Sequence, residues 1–369
     1  MAKIRVLIVD DSVVIRRLVT DLLSGDPVLE VVGAAAHGRI ALEKIPQVNP
    51  DVITLDVEMP EMDGLQTLKA IRKSYPRLPV IMFSTVTDRG AAVTLDALAS
   101  GASDYVTKPS NVGSTTAAMA RIREELIPKI KALAGRSDAV RPKLPIPIGS
   151  ASKPQAKIAP GARRDRPLEI VAIGVSTGGP NALAELLPAI PADFPVPIVI
   201  VQHMPPIFTR LLAERLNAKS KIAVVEAAGE DELEPGKAWI APGNFHMVLE
   251  KTRSGSRIKL QQEPPENSCR PAVDVLFRSV AEIYGAASLG VILTGMGHDG
   301  LRGCELINDG GGQVLAQDQA TSIVWGMPGF VAEAGLADKV LPLDQVAAEI
   351  VRRTSVGRER LVTQNRSRM

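Results

Sequence analysis

The chain has 369 residues and a formal net charge of +2, with 45% hydrophobic and 23% charged residues. That length suggests two or three domains, each able to bury its own core. Near-neutral charge supplies no overall field for nucleic acid or an acidic substrate, so no nucleic-acid partner is expected.

The start, Met1-Ala-Lys-Ile-Arg-Val, already reads as a strand, so no targeting leader is expected. No uncharged apolar stretch reaches the ~18 residues of a membrane span. A cytoplasmic location without membrane insertion is the expectation. The only cysteines, Cys269 and Cys304, have no histidine at ligand spacing. They read as core or surface thiols, neither a disulfide framework nor a zinc site.

Four apolar runs open the chain, and each ends on a polar side chain. Ile4–Val9 ends at Asp10-Asp11, and Val52–Leu55 at Asp56. Val80–Phe83 ends at Ser84, and Asp104–Thr107 at Lys108-Pro109. In an alternating βα chain the strands are parallel, so their C-terminal ends meet on one sheet edge. Three carboxylates gathered there repel one another unless a hard divalent cation such as Mg²⁺ lies among them. A carboxylate beside Mg²⁺, a hydroxyl and an ammonium is suited to accept a phosphoryl group.

With Met59-Pro-Glu-Met-Asp-Gly64, these residues resemble a two-component receiver domain over about residues 1–123. The resemblance implies a (βα)5 fold, Asp56 as phosphoacceptor, and Mg²⁺ held by Asp10, Asp11, Asp56 and the main-chain carbonyl of Glu58. It also implies phosphoryl contacts from Ser84 and Lys108, an aromatic switch at Tyr105, and a histidine kinase as phosphodonor.

From Arg121 to Pro167 there are twelve Lys or Arg against four Asp or Glu. Prolines 142, 145, 147, 154, 160 and 167 crowd the second half. Once a receiver helix finishes near residue 134, this composition predicts a semi-extended linker, assigned to 124–167. The Arg-rich stretch 352–369 reads as a frayed tail.

Residues 168–351 return to α/β patterning. Leu168–Gly174 reads as a buried strand and Pro180–Leu187 as a helix with proline in its first turn. The glycine-rich turn between them does not fit the dinucleotide pattern G-x-G-x-x-G, and it lacks the Gly-Lys-Ser/Thr of a nucleotide-hydrolase loop. Gly174-x-Ser176-x-Gly178 does fit a nucleophile elbow. His203 follows the run Pro197–Gln202, and Asp299 follows Leu289–Thr294 in the loop Gly295-Met-Gly-His298-Asp299-Gly300. Three strands thus bring Ser, His and Asp to one edge. Their chain order departs from the Ser…Asp…His of ordinary α/β-hydrolases. His298 adjoins Asp299 and cannot readily bridge it to a serine, which favours His203 as base. His37 and His246 read as surface and loop residues.

Gly174-Val-Ser-Thr-Gly-Gly179, Gln202-His-Met-Pro205, Ala241-Pro-Gly243 with His246-Met247, Thr294–Gly300 and Trp325-Gly-Met-Pro328 resemble the chemotaxis-specific protein-glutamate methylesterases. The resemblance implies a doubly wound, mostly parallel α/β hydrolase domain with Ser176 as nucleophile, His203 as base and Asp299 as orienting acid. It places Thr177 beside the nucleophile and the main chain of Met296 near the oxyanion. Its substrates would be methyl-accepting chemoreceptors, demethylated at glutamate γ-methyl esters and deamidated at glutamines. The phosphodonor would then be the chemotaxis kinase, and the esterase needs no cofactor. A DNA-binding output would instead be a short basic helix-turn-helix module, which about 180 residues of βα pattern do not fit. A non-catalytic scaffold would need no Ser/His/Asp set.

Overall fold

The computed structural model describes residues 3–108, 115–135, 167–253 and 255–356. Pro109, most of the linker and the tail beyond residue 356 lie outside the described residues. The chain divides into two compact units, Met1–Arg141 and Pro142–Met369.

The first unit is a five-stranded sheet built from β1 (Ile4–Val9), β2 (Leu29–Ala35), β3 (Val52–Asp56), β4 (Val80–Ser84) and β5 (Asp104–Thr107). Its spatial order is β2-β1-β3-β4-β5, and every pairing is parallel. Strands covered on both faces read as nearly continuous apolar runs, and β3 and β4 are buried at every position, with Thr54, Asp56 and Ser84 their only polar residues. Helices α1 (Val13–Ser24), α2 (Gly38–Val48), α3 (Gly64–Ser74), α4 (Asp88–Ala99) and α5 (Thr115–Leu133) alternate with the strands. The order reverses between β1 and β3, the point where open α/β sheets bind ligands beyond the strand ends. Asp10 and Asp56 end those two strands. Gly64 is required there, because a Cβ on it would come within 2.1 Å of the Asp56 carbonyl. Helix α5 continues to Leu133, held by Lys131 on Asp26 at 2.7 Å. Residues 124–133 are therefore helical, as a receiver helix finishing near 134 requires, although the linker bounds 124–167 include them.

The second unit is a seven-stranded sheet of β6 (Ile170–Val175), β7 (Ile198–Gln202), β8 (Ala223–Glu226), β9 (Lys237–Ile240), β12 (Ser288–Ile292), β13 (Gln313–Gln317) and β14 (Lys339–Leu341). Its order is β14-β13-β12-β6-β7-β9-β8, parallel at every pairing. Helices α6 (Gly179–Leu186), α7 (Phe208–Lys219), α8 (Val273–Tyr284), α9 (Leu301–Asp309), α10 (Met327–Glu333) and α11 (Leu343–Ser355) connect or close it. The winding goes outward from β6 through β7, then returns to β12 on the other side. The switch point therefore lies between β6 and β12.

Two expectations need correction. His246 is not a loop residue: it opens β10 (His246–Lys251), which pairs antiparallel with β11 (Ser256–Gln261). It is buried, its Nδ1 accepts from the Ala272 N–H at 3.2 Å, and its Nε2 lies 3.2 Å from the Pro264 carbonyl. Arg352 and Arg353 do not begin a frayed tail. They lie within α11, where both hydrogen-bond the buried Glu349 one turn back.

Candidate active site

Ser176 follows β6, His203 follows β7 and Asp299 lies in the loop after β12. These three strands are neighbours in the sheet, in the order β12-β6-β7. The three side chains are thus brought to the edge where the order switches.

The turn that carries Ser176 is fixed mainly by backbone bonds. The Ser176 N–H donates to the Thr294 carbonyl at 3.1 Å, and the Ser176 carbonyl accepts from Gly179 N–H and Gln202 Nε2. Ser176 lies outside the left-handed region, whereas Gly178 sits at φ 79° and takes the sharp bend. The left-handed bend therefore falls on a glycine, which adopts it without steric strain, rather than on the serine, unlike the elbow of α/β-hydrolases. Gly295 packs against the serine: a Cβ there would lie 2.9 Å from Ser176 Cβ. Thr177 is buried, and its carbonyl accepts from Thr294 Oγ1 at 2.9 Å, tying the turn to the β12 loop. In that loop the Met296 N–H makes no hydrogen bond among the described residues.

His203 and Asp299 meet through His203 Nε2 and Asp299 Oδ2 at 2.7 Å. Asp299 is buried, and each of its oxygens accepts twice. Oδ2 takes His203 and the Val273 N–H at 2.7 Å, while Oδ1 takes Asn267 Nδ2 at 2.9 Å and the Asp274 N–H at 3.0 Å. Burial alone would raise this carboxyl, but His203 and the two N–H groups outweigh it and hold Asp299 below its ordinary value. An ionised carboxylate only accepts, so His203 Nε2 carries the proton and Nδ1 is left as the basic nitrogen.

The other nitrogen has a neighbour that the sequence did not reveal. His203 Nδ1 lies 3.6 Å from Cys269 Sγ, and no hydrogen bond joins Ser176 to His203 among the described residues. Catalytic hydrogen bonds are commonly loose without substrate, and here a thiol stands at the free nitrogen instead. Burial disfavours the imidazolium, but Cys269 and Asp299 outweigh it and raise His203 to about 10. Sequence reasoning missed Cys269, Asn267 and Gln202. The His298 ring makes no hydrogen bond among the described residues and packs against Phe330 with centroids 6.0 Å apart.

In the first unit, the ligand atoms of Asp10, Asp11 and Asp56 lie within 4.8 Å of one another. Lys108 Nζ bridges Asp10 Oδ2 at 2.8 Å and Asp56 Oδ2 at 2.7 Å. Burial raises Asp56 to about 6, with Lys108 pulling it down and Asp10 pushing it up. Burial also works against the charged Lys108, but the two carboxylates hold it above its ordinary value. Glu58 lies two residues past Asp56, with its N–H 3.4 Å from Asp56 Oδ1. Ser84 ends β4 as expected, yet its buried hydroxyl donates to the carbonyls of Thr85 and Gly90, both at 3.2 Å. Tyr105 is buried, with Lys129 Nζ 5.1 Å from its ring centroid. Three carboxylates and one bridging ammonium fit a hard divalent cation.

The profile described as CheB methylesterase matches residues 171–350, and that of the response regulator receiver domain matches residues 6–120. A protein-glutamate methylesterase/protein-glutamine glutaminase of Trichodesmium erythraeum is 59% identical over 355 residues, covering 96% of this chain and 99% of that protein. The chain belongs to this family. A second member, from a Nocardioides strain, is 54% identical, covering 98% of each chain. The solved catalytic domain of the Thermotoga maritima CheB methylesterase aligns with a TM-score of 0.50 and 44% identity, covering 50% of this chain and 98% of that one. Membership makes the chain a hydrolase joined to a response-regulator receiver. No helix among the described residues is long and apolar enough to cross a membrane.

Proposed function

We propose that this chain removes methyl groups from glutamate γ-methyl esters of chemoreceptors, and deamidates receptor glutamines, through a serine acyl-enzyme. Residues 168–351 carry the chemistry, and the receiver, residues 1–123, controls it through phosphorylation of Asp56 by a chemotaxis histidine kinase. The work is assigned to the cytoplasm, where the receptor signalling helices and the kinase would meet it.

The observation that carries this reading is the His203–Asp299 pair at 2.7 Å, one strand away from the Ser176 turn. Ser176 Oγ attacks the ester carbonyl while His203 Nδ1 takes its proton. Asp299 holds the ring and stabilises its cationic form. The oxyanion is stabilised by the unengaged Met296 N–H, with Thr177 as the neighbour that fixes the serine's turn. His203 then gives the proton to the leaving methoxide as the C–O bond breaks, or to the former amide nitrogen of a glutamine as the C–N bond breaks, so methanol or ammonia departs. Water releases the glutamate by the same steps in reverse order. In the receiver, Asp10, Asp11, Asp56 and the Glu58 carbonyl would hold Mg²⁺, which when bound supplies positive charge to a transferring phosphoryl group. Ser84 and Lys108 would contact the phosphoryl oxygens. Ser84 must first turn away from the Thr85 and Gly90 carbonyls.

The test is methanol release from methylated receptors by Ser176→Ala, with folding checked by thermal melts. A loss of roughly 10³-fold or more is expected. Activity within about tenfold of the parent would sink the serine mechanism. One observation favours a second reading: Cys269, not Ser176, touches His203. If Cys269→Ala is the dead variant while Ser176→Ala turns over, the thiol is the nucleophile.

A further inference from the structure

Cys269 is half-buried and His203 mostly buried, so the pair is largely shielded but has an open side to water. A zinc ion binds thiolate sulfur at about 2.3 Å and imidazole nitrogen at about 2.0 Å. At a tetrahedral angle those lengths set sulfur and nitrogen about 3.5 Å apart. Cys269 Sγ and His203 Nδ1 are 3.6 Å apart. The spacing of the two atoms therefore suits a shared cation.

A second observation points the same way. A histidine that ligates a metal almost always donates its other ring N–H to a carboxylate, which fixes the tautomer and makes the ligating nitrogen more basic. Asp299 does this to His203 at 2.7 Å. The ligand atoms of His203, Cys269 and Asp299 all lie within 4.8 Å of one another. Asp299 nevertheless has both oxygens filled by two donors each, so it orients the histidine and leaves the cation to sulfur and nitrogen.

We propose that His203 Nδ1 and Cys269 Sγ form a two-point binding site for a zinc-like divalent cation, and that this cation stops the esterase by occupying the nitrogen that must deprotonate Ser176. Water completes the coordination from the open side. Binding expels to solvent the thiol proton and the proton that Nδ1 holds near neutral pH, and the imidazole then contributes the lone pair that otherwise accepts the serine proton. The thiolate selects a borderline or soft cation over Mg²⁺, which takes oxygen ligands and would go to the receiver carboxylates instead. The inhibition rests on His203 as base; the binding does not.

The experiment uses the full chain in constant excess Mg²⁺, which keeps the receiver carboxylates occupied. Zinc is titrated against methanol release, and Co²⁺ is titrated separately while the thiolate-to-cobalt charge-transfer absorption is read. The receiver carboxylates cannot produce that band, and the only other thiol, Cys304, is fully buried. The band and the inhibition are expected in the parent and in Cys304→Ser. In Cys269→Ser the band should vanish, and the zinc needed to halve that variant's own zinc-free rate should rise at least about tenfold. Absence of the band in the parent, or equal zinc sensitivity of Cys269→Ser, overturns the site. A Cys269-dependent band without inhibition would put the cation on sulfur alone and overturn the occupation of His203 Nδ1, while the serine mechanism stands or falls separately with Ser176→Ala.

Discussion

Asp299 joins His203 to the N-terminus of α8, because one carboxylate oxygen accepts from both His203 Nε2 and the Val273 N–H, each at 2.7 Å. The other oxygen takes the Asp274 N–H. Helix α8 has no cap of its own, since its N-cap residue is Ala272 with no side-chain bond. The same carboxylate therefore orients the base and caps a helix from another part of the chain.

That double use predicts two losses from Asp299→Asn. An amide presents one acceptor end instead of two, so it cannot satisfy all four donors. Turnover should fall about 10³–10⁴-fold. Loss of the cap should cost about 1–2 kcal/mol, lowering the melting temperature of the catalytic unit by several degrees. A melt that matches the parent would refute the capping role, whatever the turnover.

The two histidines near the site should behave very differently. His203→Ala removes the base and should lower turnover by roughly 10³-fold or more. The His298 ring packs on Phe330 and makes no hydrogen bond among the described residues, so His298→Ala should cost less than about tenfold. Turnover of both variants on methylated receptor decides the matter. A dead His298→Ala beside an active His203→Ala would reverse the assignment.

Cys269 should set the pH at which the base becomes available. It and Asp299 hold His203 above its ordinary value, so the proton leaves Nδ1 only as pH rises past the ordinary imidazole range. The rising limb of the kcat/KM profile should accordingly lie above the ordinary pKa of about 6.5. Cys269→Ser removes the negative partner and should shift that limb toward acid. A profile that stays in place, or moves to higher pH, would show that the thiol does not act on the imidazole.

Much of this was legible because buried parallel strands are written as apolar runs, and Asp10, Asp56 and Ser84 stand at their ends. The same holds for Ser176 and His203. Cys269 was not legible. It lies 66 positions from His203, in an irregular loop before α8, and no periodicity reports what such a loop touches. His246 was misread for a related reason: Pro242, Gly243 and Asn244 signal a turn, but the burial of a polar ring depends on long-range partners. Arg352 and Arg353 looked like tail because a cluster of basic residues usually is, whereas a buried Glu349 recruits them into α11.

Glu349 offers a stability test with a defined sign. Its hydrogen bond to Arg352 lowers it most; burial opposes, and Arg353 and Lys339 lower it further, so the carboxyl sits well below its ordinary value. A depressed carboxyl stabilises the fold above its unfolded pKa of about 4.3, and that contribution is lost as pH falls through the lower folded value. Glu349→Gln takes the carboxylate at 2.8 Å away from the mostly buried Arg353, which keeps Gln313 at 2.7 Å and the more distant Asp338 at 3.4 Å, and should cost about 1–3 kcal/mol at neutral pH. Melts of parent and variant should converge as pH drops from 7 toward 3. A gap that widens on acidification would mean that the ion pairs do not stabilise.

Lys108 should restrain Mg²⁺ as well as serve the phosphoryl group. Its ammonium lies 2.8 Å from Asp10 and 2.7 Å from Asp56, where it already neutralises part of the charge that a divalent cation would meet. Removing a unit charge this close to a cation site changes the interaction by a few kcal/mol at an effective dielectric of about 20, before solvent fills the gap. Lys108→Ala should therefore bind Mg²⁺ at least about threefold more tightly by titration calorimetry. Activation of methanol release by a small phosphodonor should nonetheless fail in Lys108→Ala, as in Asp56→Ala, because the phosphoryl oxygens lose their cationic contact. Weaker Mg²⁺ binding in Lys108→Ala would mean that the lysine organises the carboxylates for the metal rather than competing with it.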